Sequence, residues 1–339
     1  MAQVEELLAP QGLIDYTKER KVKGTMGDVL FPERKTEAME IKMIKGASEL
    51  PVMASIHSFD VEAEIGSREG ADYSLQDLAL IKRKIRLSEK ELIALESPRN
   101  SMEEAEMIRK IYSDVDHLVA AIRARIEAMR MEALYSGKIL INENGIKASI
   151  DYGMPSNHKT TKNWKSGTPT ILEDMDSCVN QIVKDTGFTP TRVLTSKMIL
   201  NVILRDSTIR SVVFGVNSAK MLTVTELNAF LAQQSLPQIA IYDEMYRIQG
   251  KDGKYKSVRY LPEDAFVMMP DGKMGDTFYG LTAEELELRN QPDIDIKSIG
   301  TIIVAMYATF DPVAKWIKAV ATAMPSFPYA DQVFSITVA

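Results

Sequence analysis

The run from Pro98 to Gly137 constrains this chain more than any other stretch. Apolar residues fall at Ala105, Ile108, Ile111, Tyr112, Val115, Leu118, Val119, Ile122, Ile126 and Met129. That is the i, i+3, i+4, i+7 spacing of one helix face. Pro98 discourages helix upstream, and Ser101 with Glu104 reads as a capping box. Glu103, Glu104 and Glu106 sit early, while Arg123, Arg125 and Arg130 sit late, which suits the helix dipole. Gly137 supplies a stop. With no internal Pro or Gly, the pattern predicts one helix over 101–136, about 54 Å long at 1.5 Å per residue. An ordinary globular helix is about a third of that length. No segment of similar length is present to pair with it as a coiled coil. The helix therefore reads as a beam on which other elements are laid.

The remaining bulk properties narrow the class. The 339 residues suffice for two domains or one elaborated one. Hydrophobic residues at 45% and charged residues at 26% are those of an ordinary globular protein. A net charge of −6 argues against a dedicated nucleic-acid binder, which would show a basic surface. The one cysteine, Cys178, excludes an intramolecular disulfide framework and fits a reducing compartment. The start, MAQVEELLAPQGL, lacks the basic and apolar regions of a signal peptide. The longest apolar run, 299–310, falls short of the roughly 20 residues a membrane span needs and reads as a buried strand. The 19 methionines suit either irregular packing or mere compositional habit.

In chain order, residues 1–35 have weak periodicity and read as an arm that packs on something else. Leu7, Leu8, Leu13 and Ile14 suggest one short helix there. Short extended pieces follow over 36–57. From His57 to Ile65 the sequence then alternates strictly. Phe59, Val61, Ala63 and Ile65 fall on one face; Asp60, Glu62 and Glu64 fall on the other. A turn-rich stretch, 66–74, leads to IKRKIRL (81–87), with Lys82, Lys84 and Arg86 on one face. An acidic and a basic strand invite antiparallel pairing, Asp60 with Arg86 and Glu62 with Lys84, each pair worth under about 1 kcal/mol. That does not hold a long ribbon alone, so the ribbon must lie on another surface. A plain hairpin at a sheet edge is the blander alternative.

Beyond the long helix, 138–153 reads as a hairpin around Asn144-Gly145. The Trp164 segment (155–170) reads as a crossing loop. Helices are expected over 172–186, closed by Gly187, from Ser196, from Thr225 and over 282–289. Strands are expected over 192–195, 238–243, 264–270, 299–310 and 331–339, with a hairpin over 245–261. Residues 311–323 are open between strand and helix.

No phosphate-binding glycine loop, H-E-x-x-H or C-x-x-C occurs. His57, His117 and His158 have no neighbours at ligand spacing. Cys178 with His158 is the sole conceivable thiol–imidazole pair, and Cys178 reads better as a small helix residue. Asp174 and Asp176 lie on different faces of their helix. Asp293 and Asp295 read as a solvated loop. No catalytic residue, metal or cofactor site is expected.

Taken together, the order of parts resembles the tailed-phage major capsid proteins of the phage lambda E family, with the Hong Kong 97-type capsid fold. The resemblance rests on the ribbon stretch 61–74, the helix end 132–145, the Trp164 segment, 260–280 and 328–339. It implies an α+β fold with an N-terminal arm (1–35), an extended loop (58–90), a peripheral domain (36–57, 91–171 and 321–339) containing the spine helix 101–136, and an axial domain (172–320). It implies a shell subunit that joins copies of itself as hexamers and pentamers around double-stranded DNA, without sequence-specific binding and without a membrane. A scaffold protein, a portal and, optionally, a decoration protein would be further partners. The absence of a long scaffolding extension before the arm implies a separate scaffold. The expected place is the virion capsid, assembled in the host bacterial cytoplasm. No Lys–Asn crosslink is expected for the lambda-like group. The resemblance makes Asp60, Glu62, Glu64, Arg68, Glu69, Tyr73, Lys82, Lys84 and Arg86 candidate intersubunit contacts. An encapsulin-like cellular shell, or an α+β enzyme, is the alternative.

Overall fold

The chain runs α1 (Pro10–Glu19), α2 (Met26–Leu30), β1 (Glu33–Lys35), β2 (Glu40–Lys45), β3 (Asp72–Asp77), β4 (Ala79–Leu87), α3 (Glu89–Glu96) and α4 (Ser101–Ser136). It continues with β5 (Lys138–Glu143), β6 (Ile146–Asp151), β7 (Lys159–Lys162), α5 (Ile171–Thr186), β8 (Arg192–Thr195), α6 (Lys197–Arg205), α7 (Ser207–Phe214), α8 (Val224–Gln233) and β9 (Gln238–Ile241). The last part holds β10 (Met245–Gln249), β11 (Tyr255–Arg259), β12 (Ala265–Met269), β13 (Thr277–Gly280), α9 (Ala283–Arg289), β14 (Ile303–Phe310), β15 (Val313–Pro325) and β16 (Phe334–Val338). This computed structural model describes residues 9–20, 23–45, 72–143, 145–216, 220–250, 252–291, 294, 299–311 and 313–339. They group into two compact units, Met1–Ile41 with Gln76–Met129 and Asp276–Pro325, and Lys42–Leu75 with Arg130–Gly275 and Ser326–Ala339.

In the first unit, α4 begins one residue away from the expected cap. The Glu103 N–H donates to Asn100 Oδ1 at 2.9 Å, and the Glu103 carboxylate accepts from the Arg99 N–H at 2.7 Å. Asn100 caps as well as serine does and places Glu103 where it can reciprocate, so the Ser101–Glu104 pairing is not used. Ile111, Val115, Leu118 and Ile122 are fully buried, whereas nothing before Ile111 on this helix is. Buried Glu127 accepts from Thr25 Oγ1 at 2.6 Å and from the Gly27 N–H at 3.0 Å, tying the start of α2 to the helix.

Five strands make the sheet of this unit, in the order β1-β13-β15-β14, with β4 also on β15. The 13-residue β15 is its centre. It pairs antiparallel with β4 along one edge; β14, over 313–320, and β13, over 322–325, share the other. Residues 313–323, open in the sequence between strand and helix, are strand because three neighbours satisfy their backbone. The same pairing draws 276–320 into this unit. The acidic strand expected over 57–65, and 66–71 of the turn expected after it, lie outside the described residues; Asp72–Asp77 is a strand in a two-stranded sheet with β2, and β4 runs against β15.

In the second unit, the sheet order is β7-β16-β12-β8-β9. β12 is buried at all five positions because a strand lies on each edge and side chains cover both faces. Met175, Ile182, Leu200, Phe266, Phe334 and Ile336 share its core. Buried Trp164 packs edge-on to Phe266, centroids 5.0 Å apart, and donates its indole N–H to Asp174 Oδ2 at 2.8 Å. The segment around Trp164, expected as a crossing loop, contributes β7, which pairs parallel with β16. Asn-Gly hairpin β5–β6 follows α4 through Gly137, whose φ of +65° and contact with Met154 leave no room for a Cβ. Thr223, not Thr225, caps α8, because Thr223 has Glu226 at the reciprocating position. The helices α3 and α7 and the short strands β1 and β13 had no separate sequence signal.

Candidate intersubunit surface

The candidate surface grows from the alternation along β4. In an extended strand successive side chains point to opposite faces, so Lys82, Lys84 and Arg86 share one face. The antiparallel register sets Arg86 beside Trp316 and Lys84 beside Lys318. It also sets Trp316 beside Tyr307 of β14. One sheet face thus carries four cations and two aromatic rings. The Lys84 ammonium lies 4.2 Å from the Trp316 ring centroid and donates to the Tyr307 hydroxyl at 3.3 Å. Tyr307 and Trp316 stack with centroids 6.4 Å apart. The cation–π contact holds the Lys84 stem along the rings and leaves its charge outward.

Among the described residues a single carboxylate answers this face. Glu284, only 8% exposed, accepts from Lys318 Nζ at 3.0 Å and pairs with Lys82 Nζ at 3.4 Å. Burial pushes the Glu284 carboxyl up, but the Lys318 hydrogen bond and the nearby lysine charges outweigh it and hold it below the usual range. Arg86 is exposed and has no hydrogen-bond or ion-pair partner among the described residues. The opposite edge of β4 from β15 has no strand on it among the described residues. At the end of the β14–β15 hairpin, Phe310 is 93% exposed, an apolar tip with no cover of its own.

Of the nine expected contact residues, Lys82, Lys84 and Arg86 come together here. Tyr73 lies in β3, and Asp60, Glu62, Glu64, Arg68 and Glu69 lie outside the described residues. Tyr307, Trp316, Lys318 and Glu284 were missed. The period-2 placing of Trp316 and Lys318 was the available signal, obscured while 311–323 stood open between helix and strand.

The other candidates have structural partners. His158 is fully buried and meets Asp185 at 3.0 Å rather than Cys178. Burial pushes the Cys178 thiol up to about 12, which keeps it protonated and unreactive at neutral pH. Asp174 holds Trp164 and pairs with Lys162 at 2.7 Å. Asp176 accepts from Asn180 on the exposed side of α5, and His117 is exposed on α4. His57, Asp293 and Asp295 lie outside the described residues. No group of three metal-binding side chains occurs among the described residues. No helix among them is long and apolar enough to cross a membrane.

The family model described as phage major capsid protein E matches residues 11–338. A protein of Escherichia coli CFT073 assigned as a prophage capsid protein superposes with a TM-score of 0.63 at 13% identity, covering 97% of this chain and 99% of its own. A phage-related protein of Bordetella bronchiseptica RB50 superposes with a TM-score of 0.53 at 10% identity, covering 96% and 95%. These two likenesses show a shared fold. No curated protein matches the sequence.

Proposed function

The chain belongs to the phage major capsid protein E family, and from that premise we propose how its parts build a shell. It is a structural subunit of a phage head, with the Hong Kong 97-type fold. In our reading, its copies join as hexamers and pentamers into an icosahedral shell around double-stranded DNA. The segment 58–90 is the extended loop and lies on a neighbouring copy; 1–35 is the arm that reaches another. The spine helix with 36–57, 91–171 and 321–339 makes the peripheral domain, and 172–320 the axial domain. A scaffold protein guides assembly in the host bacterial cytoplasm, a portal occupies one vertex, and a decoration protein is an optional addition. The net charge of −6 suits a container that holds DNA without gripping it.

The observation that carries this reading is the family match over almost the full chain. The edge of β4 that has no strand on it among the described residues agrees with it, since a free sheet edge is a ready place for another chain. Co-expression with the scaffold protein, followed by sedimentation and negative-stain microscopy, tests it. Closed shells are expected; a chain that stays strictly monomeric overturns the proposal.

A further inference from the structure

We propose that the turn after β12 is a site of covalent self-modification, where Asp271 closes on the nitrogen of Gly272 and reopens as isoaspartate. The chemistry needs one subunit only and is independent of how copies assemble.

Asp-Gly pairs favour such closure, because glycine has no side chain to shield its nitrogen. The chain has two, Asp252-Gly253 and Asp271-Gly272, and both aspartates are exposed. Their surroundings differ. At the tip of the β10–β11 hairpin the Gly253 N–H donates to the Gly250 carbonyl at 3.0 Å, and the Asp252 carboxylate accepts from the Lys254 N–H at 3.2 Å. Nitrogen and carboxyl are each engaged elsewhere. In the turn after β12 the Gly272 N–H donates to Asp271 Oδ1 itself at 2.9 Å, and to nothing else among the described residues. The two groups that must react are already in contact.

Arg192 of β8 keeps them so. Its Nε donates to the Pro270 carbonyl at 3.0 Å, and a second N–H of its guanidinium donates to the Gly272 carbonyl. The Asp271 carboxylate lies 3.8 Å from the same guanidinium. The backbone is thus held on both sides of Asp271, and Gly272 takes a φ of +91°, which glycine adopts without strain. Holding two reacting groups together removes an orientational cost from the barrier. The Asp271 side chain is 87% exposed, so water has access.

The reaction balances with water alone. The Gly272 nitrogen bonds to Cγ of the protonated Asp271 carboxyl. Its proton leaves with the carboxyl OH as water, and a five-membered succinimide remains. Water then adds back. Cleavage between Cγ and nitrogen restores aspartate. Cleavage between nitrogen and the Asp271 main-chain carbonyl leaves the chain running through Cβ and Cγ, with a free main-chain carboxylate. Mass and charge are unchanged. The backbone gains one carbon between the two carbonyls that Arg192 bridges, so the clamp on this turn opens.

The test holds the full chain, folded, at physiological temperature over weeks. Isoaspartate is counted by methyl transfer from labelled S-adenosylmethionine with an isoaspartyl methyltransferase, and located by peptide mapping. Deamidation at Asn144-Gly145 is told apart by its change of mass. Isoaspartate at 271 should exceed that at 252 by about tenfold, because only the first pair is oriented for attack. In guanidinium chloride the two sites should react alike. Asp271→Glu keeps the charge but must close a larger ring, and should remove the signal at 271 with the melting temperature unchanged. Equal yields at the two sites in the folded chain overturn the inference. So does a preference for 271 that survives denaturation, which would assign it to neighbouring residues and not to the turn.

Discussion

The two five-stranded sheets of this protein are built to different ends. In the sheet of β7, β16, β12, β8 and β9, the central strand is buried throughout and β16 nearly so. Its side chains are satisfied inside the subunit. In the sheet organised by β15, β4 is exposed at most of its positions and β14 becomes exposed toward Phe310. That sheet has surplus positive charge on one face and a strand edge without a neighbour among the described residues. The first sheet stabilises a subunit; the second, in our proposal, leaves surface for another. Burial near 0% on both faces is costly to disturb, while an exposed charged strand hardly registers in the folding of the subunit that carries it.

Substitutions should separate the two roles. The largest effect is expected at Phe266→Ala in β12, which empties the space against Trp164 and should cost about 3–5 kcal/mol in chemical denaturation of the subunit. A loss below 1 kcal/mol would break the distinction between the sheets. Next comes Gly275→Ala. A Cβ there would strike the carbonyl oxygen of Ser326, so a loss of about 1–3 kcal/mol is expected, read as a lowered denaturation midpoint.

A smaller and pH-dependent effect is expected at Glu284. Its carboxyl is held below the usual range, so its contribution is present above the unfolded value of about 4.3 and is lost as pH falls through the lowered folded value. The melting temperature of the unsubstituted protein should therefore drop on acidification through that window more than that of Glu284→Gln. Parallel curves would remove Glu284 as an organiser of the basic face. The smallest effect is expected at Arg86→Ala, within about 0.5 kcal/mol in the isolated subunit. A large loss there would show that β4 serves its own subunit as β12 does. Alkylation offers a control from the buried sheet's side. Cys178 should resist iodoacetamide at pH 8 in the folded chain and react once denatured, since burial keeps its thiol protonated.

Local signals were legible where a few neighbouring residues decide the outcome. The long helix runs over Ser101–Ser136, as its apolar period requires, and Gly187 ends α5 with a φ of +80°. Caps were harder. Asn100 and Ser101 each have a glutamate three residues on, so sequence could not choose between them, whereas Thr223 wins over Thr225 because Glu226 stands at the reciprocating position. The candidate surface was half legible. Lys82, Lys84 and Arg86 announce themselves by alternation, but their companions Trp316, Lys318 and Glu284 come from more than 190 residues further along by sequence number.

What the sequence by itself determined is therefore the local: the spine helix, the Asn-Gly hairpin, the buried strand at 265–269, and the matching periods of an acidic and a basic strand. Periodicity and turn chemistry act over a few residues and are written in the order of side chains. Tertiary structure alone decided which strands meet. β4 pairs with β15 from the far end of the chain, and β3 with β2, partners that no local pattern in 72–87 announces. β15 is a strand because β14, β13 and β4 take up its backbone groups, a condition no window of its own sequence can express.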